Sequence, residues 1–544
     1  MRRPLAIAAM VAAWGLMAGH GAVAQGSAVG ASNAGPANSS AGQERVLLVL
    51  PFDNRTGQPS LEWIREAAAE VLTARFAAAG FQPTSRADRM YALDHLGLPQ
   101  GFQPSRASSL KLAQTLDADS IVVGSYSTEG NEITAEAKLV NVPQLHMLPA
   151  VSVRGEMRDM IAVFGSLAWK LTKQLDPSFN VAEETFAAAG KGTRLDAFEQ
   201  YIRGITETDQ AERLRHLQQA VKLSPDFSPA WMALGREEYS GQQYQEAADA
   251  FAKVDHNGPD GLEAGFYRGL SLMFSGDYPH AEQTFSGVAK VLPLAEVVNN
   301  QAVAMSRQGH DGTSLFIQAA AADPNTGDYH FNLAVSLKQH GNTQGALNEL
   351  AQCLKLRPND SEAQSLQDAW KRPATAATQM GTTDAAPPDP LERIVRTFDA
   401  TAFKQAAAML DELNRQRLAA LTPRERARAL CTQAKGFLIR GLLLEAERLY
   451  QDAVSADDRS AAAHAGLAEV RVRSGDAEAA RKEAQTSLGL GQSADAYLVL
   501  AQLDLSTGSL SQANAEAADA LRLEPENHAA QELKRQIEAK SGKR

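Results

Sequence analysis

Five prolines constrain this chain more than any other feature. They stand at Pro225, Pro259, Pro293, Pro324 and Pro358, at spacings of 34, 34, 31 and 34 residues. Ala247, Ala281 and Ala346 each precede one of them by 12 residues, and 12 residues earlier again stand Gly235, Gly269 and Ala334. A proline ends a helix, because it lacks an N–H and its ring crowds the preceding turn. A residue without bulk lets two helix backbones approach, and Phe251, Phe285 or Leu350 fills the space toward the next pair. Gly276-Asp277-Tyr278, Gly309 and Gly341-Asn342 supply the turns. Each unit is therefore a helical hairpin that buries its apolar face only by stacking on its copies.

Trp231, Leu234 and Gly235 match a W-x2-L-G opening, and with the period and its slots this part of the chain resembles the tetratricopeptide repeat (TPR) family. The first array spans 195–372. Residues 373–390 form a Pro/Ala/Thr-rich linker ending Pro387-Pro388-Asp389-Pro390. The pattern resumes with a helical hairpin from Leu391. Ala434, Ala468 and Ala501 then take the first-helix slot, and Ala446, Ala480 and Ala513 the second. This second array, 391–541, closes with a polar capping helix after Pro525. Cys353 falls in a small slot and reads as a buried free thiol, and Cys431 belongs to no close pair. Counted from the small slot, the first-helix residues aimed at the concave side are Met232, Arg236 and Tyr239, then Phe266, Leu270 and Met273, then Phe331 and Val335. Apolar and aromatic residues in such a groove suit an extended or helical peptide, and packing within the core is the competing reading.

Residues 44–176 alternate between strand and helix. Residues 45–52 read as a fully buried strand by their apolar run, 61–79 as an amphipathic helix stopped by Gly80, and 120–126 as a second clear strand. Residues 132–141 alternate apolar and polar, as a half-buried antiparallel strand does, and 148–154 add a further strand. A helix over 157–175 closes a mixed sheet with packed helices. The expected fold is thus an α/β N-terminal domain followed by an all-α solenoid in two arrays. The loop after the first strand, residues 53–58, has one glycine and no lysine, so it lacks the parts of a phosphate-cradling loop. Asp53, Asn54, Thr56, Gly57 and Ser60 suit a strand-to-helix turn with Ser60 as cap; an anion at the helix start is the alternative. "VLLVLPFDNRTGQPSLEW" and "SRASSLKLAQTLDADSIVVGSY" resemble the TolB-like or FlgO-like domain of bacterial envelope proteins, matching it at Pro51, Phe52, Asn54, Asp119 and Gly124. That family brings no catalytic residue. The resemblance implies an envelope assembly or scaffolding factor.

Residues 1–24 read as a signal peptide: Arg2 and Arg3, an apolar stretch, and Ala22-Val23-Ala24 before the cut. A flexible Gly/Ser/Ala linker follows over 25–43. The expected product is a periplasmic chain with no integral membrane segment. A net charge of −11, with no long Lys/Arg run, argues against nucleic acid as a partner. The eleven histidines are scattered, with no metal-ligand spacing, no nucleophile elbow and no reactive-cysteine context. No catalytic residue, cofactor or metal is expected. Two functions fit: a non-enzymatic periplasmic scaffold gathering envelope proteins or peptides in its grooves, or a regulator that activates an envelope enzyme or assembly machine through the N-terminal domain.

Overall fold

The computed structural model describes residues 46–99, 105–190, 192–372, 390–398 and 400–541. The signal peptide over 1–24, its cleavage after Ala24, the linker over 25–43 and residues 373–389 lie outside them. The chain divides into two compact units. One is Glu207–Leu413; the other joins the stretch ending at Thr206 to Asn414–Arg544.

The N-terminal part of the latter unit carries a seven-stranded mixed sheet: β1 (Val46–Val49), β2 (Asp53–Asn54), β3 (Gln82–Pro83), β4 (Ser120–Glu129), β5 (Glu132–Asn141), β6 (His146–Met147) and β7 (Val151–Glu156). β1 lies between β3 and β4 and is parallel to both, and β2 pairs with β4 in the same sense. β5 is antiparallel to β4 and carries β6 and β7 on its other edge. Helices α1 (Ile64–Ala78), α2 (Arg86–His95) and α3 (Arg106–Thr115) supply the crossovers that parallel neighbours require, and α4 (Met160–Leu175) follows the sheet. Leu47, Leu48, Val49 and Leu50 are all buried, with Leu48 and Leu50 packed among Leu93, Leu112 and Ile121. A strand covered on both faces reads as a continuous apolar run, whereas β5 buries only Ile133, Ala135, Ala137 and Leu139. Pro51 has no N–H to give the ladder, so pairing breaks there and the Phe52 N–H turns to Arg65 O at 3.1 Å.

The loop after β1 differs from expectation in two respects, the first being that Asp53–Asn54, read as part of the turn, pair with β4 as β2. Ser60 does not cap the helix; residues Pro59–Leu61 form a 3-10 turn and α1 starts at Ile64. Asn54 organises the loop instead. Its Oδ1 accepts from Thr56 N at 2.9 Å, and its Nδ2 donates to Gln58 O at 3.1 Å and to Glu62 at 2.9 Å. With Glu62 beside it, the loop offers an anion a carboxylate as neighbour. Two short helices follow, α5 (Glu183–Ala188) and α6 (Leu195–Thr206). α6, expected as the opening of the first array, packs on the α/β part: Tyr201 donates to Glu70 at 3.5 Å and Arg203 to Ser60 O at 3.3 Å.

The unit Glu207–Leu413 is a solenoid of α7 (Gln210–Leu223), α8 (Ser228–Ser240), α9 (Tyr244–Phe251), α10 (Gly261–Ser275), α11 (Tyr278–Val291), α12 (Ala295–Arg307), α13 (Thr313–Ala322), α14 (Gly327–Gln339), α15 (Thr343–Leu356) and α16 (Ser361–Lys371). Ala247, Ala281, Ala334 and Ala346 are fully buried in their slots. The odd proline spacing of 31 belongs to the α12–α13 pair, where α13 has 10 residues against 14 in α11 and α15. About one helical turn is missing. Gly276 ends α10 at φ +84, a left-handed cap that glycine adopts without a Cβ penalty.

Residues 390–398, expected to open a helical hairpin, belong to no helix or strand, and α17 begins at Ala400 (Ala400–Ala419). After it come α18 (Pro423–Ile439), α19 (Leu443–Ala456), α20 (Ala461–Ser474), α21 (Ala477–Leu490), α22 (Ala494–Thr507), α23 (Leu510–Leu523) and the cap α24 (His528–Ser541). Ala434, Ala446, Ala468, Ala480, Ala501 and Ala513 are fully buried. The α/β part is docked on this second array. Glu447 of α19 is fully buried; it accepts from Ala182 N at 3.0 Å, from Thr185 Oγ1 of α5 and from Arg471 at 2.7 Å. Burial raises its carboxyl pKa, opposed by Arg471 and Thr185.

Candidate peptide groove of the first array

The stretch 390–398 lies along the first helices of the Glu207–Leu413 unit, and its backbone is held by side-chain amides. Arg393 N donates to Asn332 Oδ1 at 2.6 Å, and Arg393 O accepts from Asn332 Nδ2 at 2.8 Å and Asn299 Nδ2 at 3.2 Å. Two residues on, Val395 N donates to Asn300 Oδ1 at 2.9 Å and Val395 O accepts from Asn300 Nδ2 at 2.8 Å. A carboxamide offers one donor and one acceptor side by side, as a peptide group does. Asn300 on α12 and Asn332 on α14 therefore imitate the edge of a neighbouring strand, bonding alternate residues of the segment. All three asparagines are fully buried, and Asn332 Nδ2 also reaches Asn299 Oδ1 at 2.8 Å. Buried amides need partners, and the segment's main chain supplies them. Each such bond contributes about 1 kcal/mol net.

Side chains of the segment meet distinct surroundings. Arg393 lies over the Phe331 ring, 3.6 Å from its centroid, and its two terminal nitrogens reach Asp328 (3.0 Å), Asp360 (2.6 and 2.9 Å) and Glu362 (2.7 Å). Burial alone would lower the guanidinium pKa, but hydrogen bonds to Asp360, Glu362 and Asp328 raise it above its ordinary value. In return the Arg393 hydrogen bond holds the Asp360 carboxyl below the usual range. Glu392 is buried; Ser306 donates to its carboxylate and Arg307 to its carbonyl at 2.9 Å. Ile394, Val395 and Phe398 pack on the apolar cluster of α10–α14. Phe398 stands 5.4 Å from Phe266 between ring centroids, and Arg396 lies 4.8 Å from the Phe274 ring centroid. The segment thus runs back from α16 toward α10. Beside Arg396 a cleft of about 430 Å³ continues the groove, lined by Arg236, Tyr239, Tyr244 and Tyr267.

Among the eight sequence-selected residues, Phe266 and Phe331 touch the segment, and Arg236 and Tyr239 line that cleft. Leu270 and Met273 are buried in the cluster that also carries Ile394 and Val395. Met232 and Val335 are core residues, packed with Ala247 and Phe251 in one case and with Leu350 and Cys353 in the other. Their side chains are taken up by packing between neighbouring helices, the competing reading for this stripe. Asn299, Asn300 and Asn332 were not anticipated. Asn300 stands seven residues after Pro293, as Phe266 does after Pro259 and Phe331 after Pro324, but the small slot three residues on is filled by Val303, which hides that unit. Among the described residues no group of His, Cys, Asp and Glu is placed to hold a metal, and no helix is long and apolar enough to cross a membrane.

The tetratricopeptide repeat family model matches residues 214–262 and 431–495. No curated protein sequence matches the chain. Solved structures similar to it include YrrB, described as a TPR protein with an unusual peptide-binding site, at 16% identity over 37% of this chain and 99% of that one (TM-score 0.28). MamA from Desulfovibrio magneticus RS-1 is similar at 20% identity over 31% and 99% (TM-score 0.28). The LpoB C-terminal domain from Salmonella enterica is similar at 21% identity over 22% and 87% (TM-score 0.19). One family match falls in each array, so residues 214–262 and 431–495 carry tetratricopeptide repeats, and the fold is a mixed α/β region followed by helices in arrays of that kind.

Proposed function

We propose that the chain is a non-enzymatic scaffold of the bacterial envelope, exported to the periplasm, whose first array receives an extended segment of a partner protein. The observation that carries this reading is the main-chain clamp: buried Asn300 and Asn332 each bond both the N–H and the C=O of one residue of the segment 390–398. Tetratricopeptide solenoids present concave protein-binding surfaces, which agrees with it. The likeness of residues 46–63 and 96–140 to TolB-like domains, with the leader-like residues 1–24, supports the envelope location. Capture from a periplasmic and envelope fraction tests it. The full chain and a variant with Asn300→Leu and Asn332→Leu are crosslinked to their partners and compared by mass spectrometry. Loss of the same partners from the variant, with its helical signal intact, supports the reading; identical capture by both refutes it.

A further inference from the structure

We infer that the first-array groove selects partner segments in which an acidic residue, an arginine and two aliphatic residues follow one another, and that residues 392–395 occupy it as an internal stand-in. The inference rests on the scaffold reading above and names the partner's chemistry. The asparagine clamp reads backbone alone and would accept any extended chain, so selection falls to the side-chain surroundings. At position 393 three carboxylates converge on one guanidinium above an aromatic face. A lysine presents a point charge and cannot serve three acceptors in that planar arrangement. An acidic residue at the same place would meet Asp328, Asp360 and Glu362 as like charges. At 392 the order reverses: Ser306 and Arg307 meet a carboxylate. The two positions together read Glu-Arg and reject Arg-Glu. Ile394 and Val395 then lie on the apolar cluster.

The stand-in belongs to the same chain as the groove, so its binding is intramolecular, with an effective concentration on the order of millimolar. A free segment with the same contacts therefore competes poorly until the internal one is weakened.

The test uses a fluorescein-labelled peptide of sequence Leu-Glu-Arg-Ile-Val-Arg-Thr-Phe, followed by anisotropy. It is added to the full chain and to the full chain carrying Arg393→Glu and Val395→Pro. The first change sets acid against acid, and the second removes the N–H that Asn300 accepts. The variant is expected to bind the peptide roughly 100-fold more tightly than the parent. A peptide with Ala for its first Arg, or with Glu and Arg exchanged, should lose at least about tenfold. Far-UV circular dichroism and amide exchange in α12 and α14 confirm that the groove is intact; if the double change unfolds it, Arg393→Ala alone, which keeps the clamp, should give an intermediate gain. Equal binding of the original and exchanged peptides overturns the partner chemistry and leaves the groove as a protein-binding site. A folded variant that binds no peptide overturns both readings. A parent that exchanges the segment between copies, seen as a concentration-dependent dimer by light scattering with no gain for the variant, makes a second copy the occupant and overturns the inference.

Discussion

Adding one methyl group at Gly269 should destabilise the first array, and shortening Phe285 should undo much of that cost. A Cβ at Gly269 would lie 2.6 Å from two ring carbons of Phe285, which is fully buried and has no room to retreat. The same pairing recurs 16 residues apart in other units: Gly235 with Phe251, Ala334 with Leu350, Ala468 with Ala484 and Ala501 with Ala517. In these pairs glycine faces phenylalanine and alanine faces leucine or alanine; Ala434 with Tyr450 is the exception, its ring packing where a Cβ on Gly466 would stand. Overpacking costs about 1–3 kcal/mol. Gly→Ala within a helix returns about 1 kcal/mol in propensity. Gly269→Ala should therefore cost from about 0 to 2 kcal/mol. Phe285→Leu alone leaves a gap and costs roughly 1 kcal/mol. Together they reproduce the Ala334–Leu350 pair, so the double variant should be more stable than the summed singles by about 1–2 kcal/mol. A chain of several units does not unfold in two states, so the assay is native-state amide exchange on helices Gly261–Ser275 and Tyr278–Val291 of the full chain. Additive single effects, or a stabilising Gly269→Ala, would refute the size-matching argument.

Three further outcomes follow from buried groups. Glu447→Ala removes the carboxylate that Ala182, Thr185 and Arg471 share and leaves Arg471 uncompensated. A cost of about 3–5 kcal/mol is expected, with earlier proteolysis and faster amide exchange in residues Glu183–Ala188. Glu238 is buried, and desolvation, then Glu246 and Asp249, push its carboxyl from 4.5 up to about 7. The folded chain then holds a proton there that the unfolded chain has released. Its contribution is present below about pH 4.5 and is lost as pH rises through about 7. Glu238→Gln should thus be more stable than the parent by about 1–3 kcal/mol at pH 8, the two converging at low pH in melting curves. Cys353 is fully buried with its thiol pushed up to about 11, whereas Cys431 is partly exposed. Maleimide should label Cys431 in the native chain and Cys353 only on unfolding, as peptide mapping would read.

The repeat was legible because its signals are local and repeated. A small residue, a turn and a proline at fixed offsets each act within one hairpin, so Gly235, Ala247 and Pro259 announce their unit without knowledge of any other. The strands β1, β4 and β5 were legible for the same reason. The groove's occupant was not. Residues 391–398 have no glycine or proline and read as the start of a helix, but the asparagines of α12 and α14 offer their backbone an alternative to it. That preference depends on residues about 60 and 95 positions away. Periodicity cannot carry such information, and Val303 in place of a small residue removed the slot that would have singled out Asn300. Ser60 failed as a cap for a nearer reason, because Pro59 starts a 3-10 turn and delays the helix to Ile64.

The contact between Thr185 and Glu447 joins residues 262 positions apart. It makes Glu207–Leu413 an insertion within the unit formed by the two ends of the chain. Closing a loose loop of that length costs about 5 kcal/mol in entropy. A first array that has already stacked replaces most of the loop with a rigid body and lowers that cost. The order of maturation is then imposed by connectivity: the α/β part emerges first and reaches its final partner last, after the whole insertion has been made. A chain cut short before α19 would leave Ala182 N and Thr185 without their acceptor, so quality control acting on the N-terminal part would in effect report whether synthesis had passed the insertion and reached α19.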